Sequence, residues 1–336
     1  MKKSKQRLAA PFIIRSVVVY GLAMTSLDVL GAALSEPFSS GNRHPFVQVY
    51  GLPTAKTAVI TSPSSYVVAL QLDASNNFSS SSEGNESIFI DGETHRANIY
   101  LSYGLTSNIS IAIDVPYLSH EGGGLDNFIE GWHKAFGFPD GGRPDSAADQ
   151  ILFTYSNNGV AEVVIDEPES GLGDISVSLA YQLPSIEEKN IAIRAGIKLP
   201  TGDADSLLGS ESTDIYAGLY VSDVTSAHWH WHAHGGILWI GEGDILDERR
   251  NDFVAYGSGS LSYLWSEDIH LKIQLDLHSA FYDSQTKELG DASAQLILGG
   301  SVRLTQSTLL DISVSEDVVV DTAPDVVFQL GLRKSW

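Results

Sequence analysis

From Ser65 onward, apolar and polar residues alternate along most of this chain. In "NISIAIDVPY" one parity holds Ile109, Ile111, Ile113, Val115 and Tyr117, and the other Ser110, Ala112, Asp114 and Pro116. "GDISVSLAYQ" sets Ile175, Val177, Leu179 and Tyr181 against Asp174, Ser176, Ser178 and Ala180. "DIHLKIQLDLHS" sets Ile269, Leu271, Ile273, Leu275 and Leu277 against His270, Lys272, Gln274, Asp276 and His278. Successive side chains of a strand point to opposite faces, so this period belongs to a sheet with one apolar and one polar face.

About twelve such segments occur. They lie near 65–78, 94–105, 109–118, 173–182, 191–200, 213–222, 228–240, 253–265, 269–281, 293–304, 309–316 and 326–336. Short connections ("TSN", "SDVTSA", "SED", "TQST") alternate with long ones ("SSSSEGNES", "GDADSLLGSES", "EGDILDERRND", "DSQTKELGD"), and the longest runs over 119–173. Short turns at one end and long loops at the other are the habit of outer-membrane barrels.

Alternation does not say which face is buried. A ring of about twelve strands leaves a lumen too wide for small side chains to fill, and the polar face here suits a wet interior. Aromatics cluster at the strand ends: Tyr66, Tyr103, Tyr181, Trp229, Tyr263, Trp265 and Trp336 toward the short turns, Tyr117, Trp239, Phe253 and Phe281 toward the long loops. Two such belts fit the two interfaces of a bilayer. The expected fold class is therefore all-β, a transmembrane antiparallel β-barrel of about 12 strands, with one short helix in a long external loop. That helix is read from "GLDNFIEGWHKAFGF", where Leu125, Phe128, Ile129, Trp132 and Phe136 make one apolar stripe. It is expected to pack over the barrel rim, with a lid on the lumen as the alternative.

The first residues read differently. "MKKSKQRLAAPFIIR" is basic, "SVVVYGLAM" is apolar and too short to span a bilayer, and "LGAALS" has small residues for cleavage near Ala32 to Ser35. The expected organisation is a signal peptide over 1–35, an N-terminal periplasmic segment over 36–64, and the barrel over 65–336.

Composition sharpens the picture. Of the 336 residues 42 are acidic and 20 basic, a net charge of −22, which repels nucleic acid. There is no cysteine, so thiolate metal sites, iron–sulfur clusters and disulfides are excluded. No cofactor is implied. The acidic external loops could gather a divalent cation, although "DADSLLGSESTD" misplaces the Gly and Glu of an EF-hand.

Several stretches resemble one family of Gram-negative outer-membrane proteins, known as domain of unknown function 3187. They are "HPFVQVYGLPTA" (44–55), "DGETHRANIYLSYG" (91–104), "LDNFIEGWHKAFGFPDGGRPD" (125–145), "SGLGDISVSLAYQL" (170–183) and "KLPTGDADSLLGSESTD" (198–214). The resemblance covers most of the chain after the leader. It implies an outer-membrane barrel and no reaction. The last strand, "VVFQLGLRKSW", ends on Trp336 and resembles the assembly signal of bacterial outer-membrane barrels, which implies the barrel-assembly machinery and outer-membrane lipid as partners.

Two sets of residues are candidates for function. Arg96, Asp114, Asp174, Arg194, Lys198, Lys272, Asp276, Arg303 and Asp311 fall on the polar face and are expected to line the lumen. Asp174 with Lys198, and Arg303 with Asp311, are expected to be neighbours across turns. In "HWHWHAHGG", His228, His230, His232 and His234 form one polar row while Trp229, Trp231, Ile237 and Trp239 turn to lipid. The row is expected to line the lumen; a pH-sensitive surface and a metal site are the sharper alternatives, the latter lacking a visible third ligand. No serine stands in a recognisable pattern with a base, so no enzyme is expected. A pore or passive transporter for small polar solutes leads. A surface scaffold with acidic loops, and a lipid-modifying enzyme, are its alternatives.

Overall fold

The computed structural model describes residues 34–123, 150–319 and 321–336. It holds fifteen strands. The first six are β1 (Tyr66–Glu83), β2 (Glu86–Gly104), β3 (Ile109–Glu121), β4 (Leu152–Asn157), β5 (Val160–Ile165) and β6 (Glu169–Leu172). Five more are β7 (Ser176–Ile186), β8 (Lys189–Lys198), β9 (Asp214–Asp223), β10 (Trp229–Trp239) and β11 (Phe253–Ser266). The last are β12 (Ile269–His278), β13 (Ser293–Thr305), β14 (Thr308–Asp317) and β15 (Val326–Ser335). One short helix, α1 (Lys287–Gly290), interrupts the run between β12 and β13.

Twelve strands form a closed antiparallel ring: β1–β2–β3, then β7 through β15, which returns to β1. The closing seam runs from Val67↔Ser335 to Asn76↔Val326. Tyr66 and Trp336 complete it, each amide donating to the other's carbonyl at 3.1 and 2.9 Å. In hydrocarbon an unpaired amide has no water to bond, so closure is the condition for a sheet to cross a membrane.

The faces are inverted relative to a soluble protein. Leu70, Ile99, Leu179, Leu219, Ile273 and Leu330 are exposed on the outside, while Asp73, Asn98, Arg194, Lys198, Lys272 and Gln274 are buried within. Trp229, Trp265 and Trp336 stand out at the short-turn end, Tyr117, Trp239 and Phe253 at the other, as interfacial belts do. Phe281 is a correction to those belts. It is 1% exposed and stacks on Tyr50 inside, because β12 ends at His278 and the strand parity stops there.

Three further expectations change. "SSSSEGNES" is not a loop: β1 and β2 continue as a paired ribbon to Glu83↔Glu86, turning at Gly84 with φ 59. That φ lies in the left-handed region glycine tolerates. This ribbon stands beyond the lipid, so nothing keeps one face apolar there. Within 150–173, β4 pairs with β2, β5 with β4, and β6 with β3, raising the wall on the long-loop side. Finally, residues 36–64 do not hang below the barrel; they fill its lumen. The expected leader up to residue 33 and the expected helix over 125–136 lie outside the described residues.

Leu275 sits mid-strand on the outer face. Leu275→Arg is expected to lower folding stability in lipid vesicles by about 2–4 kcal/mol, read by urea unfolding. A cost within about 0.5 kcal/mol, the usual figure for a water-facing position, would contradict the lipid-facing assignment.

Candidate functional site

The lumen is the site, and its occupant is the chain's own N-terminal segment. The ladder uses the backbone of the wall, so only wall side chains remain to receive a guest. Along the ascending arm the partners keep a constant sequence offset. Lys272 donates to the Glu36 carbonyl at 2.7 Å. The Gln274 amide accepts from Phe38 N at 2.9 Å and donates to Phe38 O at 3.2 Å, standing in for a peptide group. Ser40 donates to Asp276, and Asn42 bonds His278 at 2.9 Å. Tyr282 then donates to the Phe46 carbonyl at 2.7 Å. Each step of two on the arm matches two on β12, so the arm is extended and runs the same way as that strand.

At the long-loop end the segment turns back. Val47 N and Gln48 N both bond the His44 carbonyl, at 2.9 and 3.0 Å, a single helical turn. Phe46, Val47, Val49 and Tyr50 enter one apolar cluster there with Ile88, Ile90, Phe153, Tyr155, Ile245 and Phe281. Tyr50 stacks on Phe281 with centroids 5.4 Å apart, and its hydroxyl donates to Ile245 O at 3.1 Å. Burial in this tip, helped by His278, holds the His44 imidazole down at about 3, so it stays neutral.

The descending arm passes β8 and β9. Gly51 N donates to Asp214 at 2.8 Å. A Cβ at Gly51 would meet Asp214 Cβ and Lys198 Cβ at 3.1 Å each, a tight approach that a larger residue makes only if these neighbours give slightly. Arg194 donates to Thr57 O at 2.8 Å, and Ala58 N to Ser222 at 2.8 Å. Thr61 bonds Ser102 at 2.7 Å, and Ser64 N donates to Gly104 O at 2.9 Å near the short turns. The segment thus starts and finishes toward the same end of the barrel.

Four of the nine charged residues read from sequence bond this plug: Arg194, Lys198, Lys272 and Asp276. Asp174 and Lys198 pair at 2.7 Å as expected, and Asp214, a residue the sequence reading passed over, joins them at 3.1 Å. Lys198 also donates to Val49 O of the plug at 3.1 Å and to Ser210. The expected Arg303–Asp311 pair is replaced. Asp311 takes Lys272 at 3.0 Å and Ser301, while Arg303 lies 3.9 Å from Asp268 in the short turn. The register explains this: Asp311 is opposite Ser301, one inward-facing position away from Arg303. Asp114 accepts from Asn98 at 2.9 Å. Two plug charges, invisible as such in sequence, pair with the wall: Arg43 with Asp73 at 2.7 Å, and Glu36 with Arg333.

His230, His232 and His234 lie on β10 and His228 just before it, and each ring has its own neighbour. His228 is exposed beside Tyr263. His230 bonds Ser226 O at 3.0 Å and lies 5.7 Å from the His270 ring. His232 bonds Ser222 at 2.7 Å and Ser35 of the plug at 3.4 Å. His234 stacks on Tyr220 with centroids 4.7 Å apart. Among the described residues no three His, Asp or Glu side chains gather closely enough to hold a metal ion.

A lipid-facing barrel of twelve strands with a polar lumen and an internal plug defines the class: a transmembrane β-barrel of the bacterial outer-membrane type. The chain belongs to the family described as protein of unknown function (DUF3187), whose family model matches residues 21–336. No curated protein matches it. Among solved structures it is similar to an outer membrane channel from Pseudomonas putida F1, at 12% identity and TM-score 0.54, over 82% of this chain and 97% of that one. A KdgM porin and a NanC porin match at 8% identity each, with TM-scores of 0.43 and 0.45. They cover 80% of this chain and 99% and 98% of theirs. The likeness to the Pseudomonas channel is one of fold.

Lys198→Met leaves Asp174 and Asp214 buried without their cation. It is expected to cost about 3–5 kcal/mol, the usual penalty for breaking a buried pair. The measurement is the temperature at which the compact, fast-migrating form is lost on gels. Adding Asp214→Asn should restore part of the loss, since one of the two stranded charges is gone.

Proposed function

We propose that this chain is an outer-membrane pore for small polar solutes, held closed by its own residues 34–63. One observation carries the reading: both arms of the plug reach the short-turn end. The segment can therefore withdraw through that end without threading the barrel, and its polar contacts can be exchanged for water. In outer-membrane barrels the short turns face the periplasm. The basic and apolar leader ahead of the plug supports export, and Trp336 supports assembly into the outer membrane of a Gram-negative bacterium.

A second reading has its own support. The apolar cluster around the plug tip seals the mouth, which suits a barrel serving as a scaffold for external loops. Conductance in planar bilayers separates the two. A form beginning at Ser64 is expected to conduct steadily, while the full chain is closed for most of the time. The chain has no cysteine, so Ser40→Cys with Asp276→Cys introduces one defined tether. Oxidation should abolish the openings of that variant, and reductant should restore them. A truncated barrel that folds, as judged by heat-modifiable migration, yet never conducts would leave the scaffold reading standing.

A further inference from the structure

The plug does not fill the lumen evenly. Between it and the wall formed by β2, β3, β7, β8 and β9 lies a cavity of about 70 Å³. Five cations line it, Arg43, Lys56, Arg96, Arg194 and Lys198, against two carboxylates, Asp114 and Asp174. Two of the cations are compensated: Arg43 by Asp73 at 2.7 Å, and Lys198 by Asp174 at 2.7 Å and Asp214 at 3.1 Å. Among the described residues Lys56, Arg96 and Arg194 form no ion pair, and Asp114 in the same cavity already accepts from Asn98.

These three are poorly satisfied: Arg194 is buried, and Lys56 and Arg96 are half-buried. Arg194 is 8% exposed; among the described residues its guanidinium donates to Thr57 O and lies 5.4 Å from the centre of the Tyr220 ring, and its Nε has no partner. Arg96 Nε is buried and also without a partner. Lys56 donates to Ser39 at 3.0 Å and otherwise stands 4.1 Å from the centre of the Tyr100 ring. A buried guanidinium with an empty donor carries a desolvation cost that only an acceptor removes. The rest of the lining is less polar, with Pro116, Leu118, Tyr100 and Tyr216.

We infer that this cavity is a binding site for a small organic carboxylate, its anionic head among Lys56, Arg96 and Arg194 and its apolar body against Leu118 and the tyrosine rings. Guanidinium groups match a carboxylate's two oxygens, and a neutral isostere offers them one weak acceptor. Lys56 belongs to the plug, Arg96 to β2 and Arg194 to β8. A bound anion therefore bridges plug and wall. The assignment deepens the pore reading and rests on it for transport, but binding itself is an equilibrium that needs no conduction.

The test is calorimetric titration of the full-length, detergent-solubilised protein with benzoate, with benzyl alcohol as the neutral control. One saturable site for benzoate and none for benzyl alcohol is expected. Arg96→Gln and Arg194→Gln should each weaken benzoate at least tenfold. Arg96→Lys and Arg194→Lys keep the charge balance of the lumen, cover the case in which the glutamine variants fail to fold, and should weaken it less. Absence of saturable benzoate binding overturns the site. So does an affinity that survives both glutamine replacements, or equal binding of benzyl alcohol. A protein that binds benzoate but never conducts when truncated keeps the site and loses the pore. One that conducts but never binds benzoate keeps the pore and loses the site.

Discussion

A peptide group inside a bilayer must find its hydrogen-bond partner within the protein, and here that demand is met by joining β1 to β15. Everything else in the molecule follows from the ring this makes. Closure leaves no sheet edge in lipid. Twelve strands make the ring wide, so wall side chains alone cannot fill it. With the apolar parity turned outward, the inner surface is polar, and buried polar groups must be satisfied by something.

The plug supplies that something in two chemically different ways. Its arms offer backbone carbonyls, amides and a few charges to wall side chains such as Gln274, Lys198 and Ser222. Its tip offers Phe46, Val47, Val49 and Tyr50 to the external cluster. These contributions are unequal. A polar contact exchanged for water changes stability by only about 0.5–1.5 kcal/mol, and a buried ion pair can come close to no net gain. Burying each large apolar side chain is worth about 1.5–3 kcal/mol. The closure is thus fastened at the mouth, while the arms mainly specify how the segment lies. Gly51 shows that specification at one residue, since a Cβ there would crowd Asp214 and Lys198 at 3.1 Å each.

The same division explains why the inward charges do not form a bare ring. Arg43 with Asp73, Lys198 with Asp174 and Asp214, and Lys272 with Asp311 are each neutralised within the wall or by the plug. Lys56, Arg96 and Arg194 instead gather at one cavity. Within the histidine row, His232 reaches Ser35 of the plug, and His230 and His234 contact wall groups.

Sequence alone determined the twelve wall strands, their facing, and most of the inward charges. Each of these is a local, period-two property: a residue's parity decides whether it meets lipid or lumen, as Leu275 and Gln274 show side by side. Parity fails where its cause ends. Beyond His278, Phe281 turns inward, and beyond the lipid the serines of β1 still form a strand. Which charges pair depends on register, so Asp174 with Lys198 was readable across one turn, whereas Lys272 with Asp311 required the ladder. The plug was decided by tertiary structure only. An extended segment that bonds to side chains on many different strands carries no period of its own, and nothing in residues 36–64 distinguishes a free tail from one folded into a lumen. Its place is set by the width of the closed ring and by the polar groups that ring leaves unsatisfied.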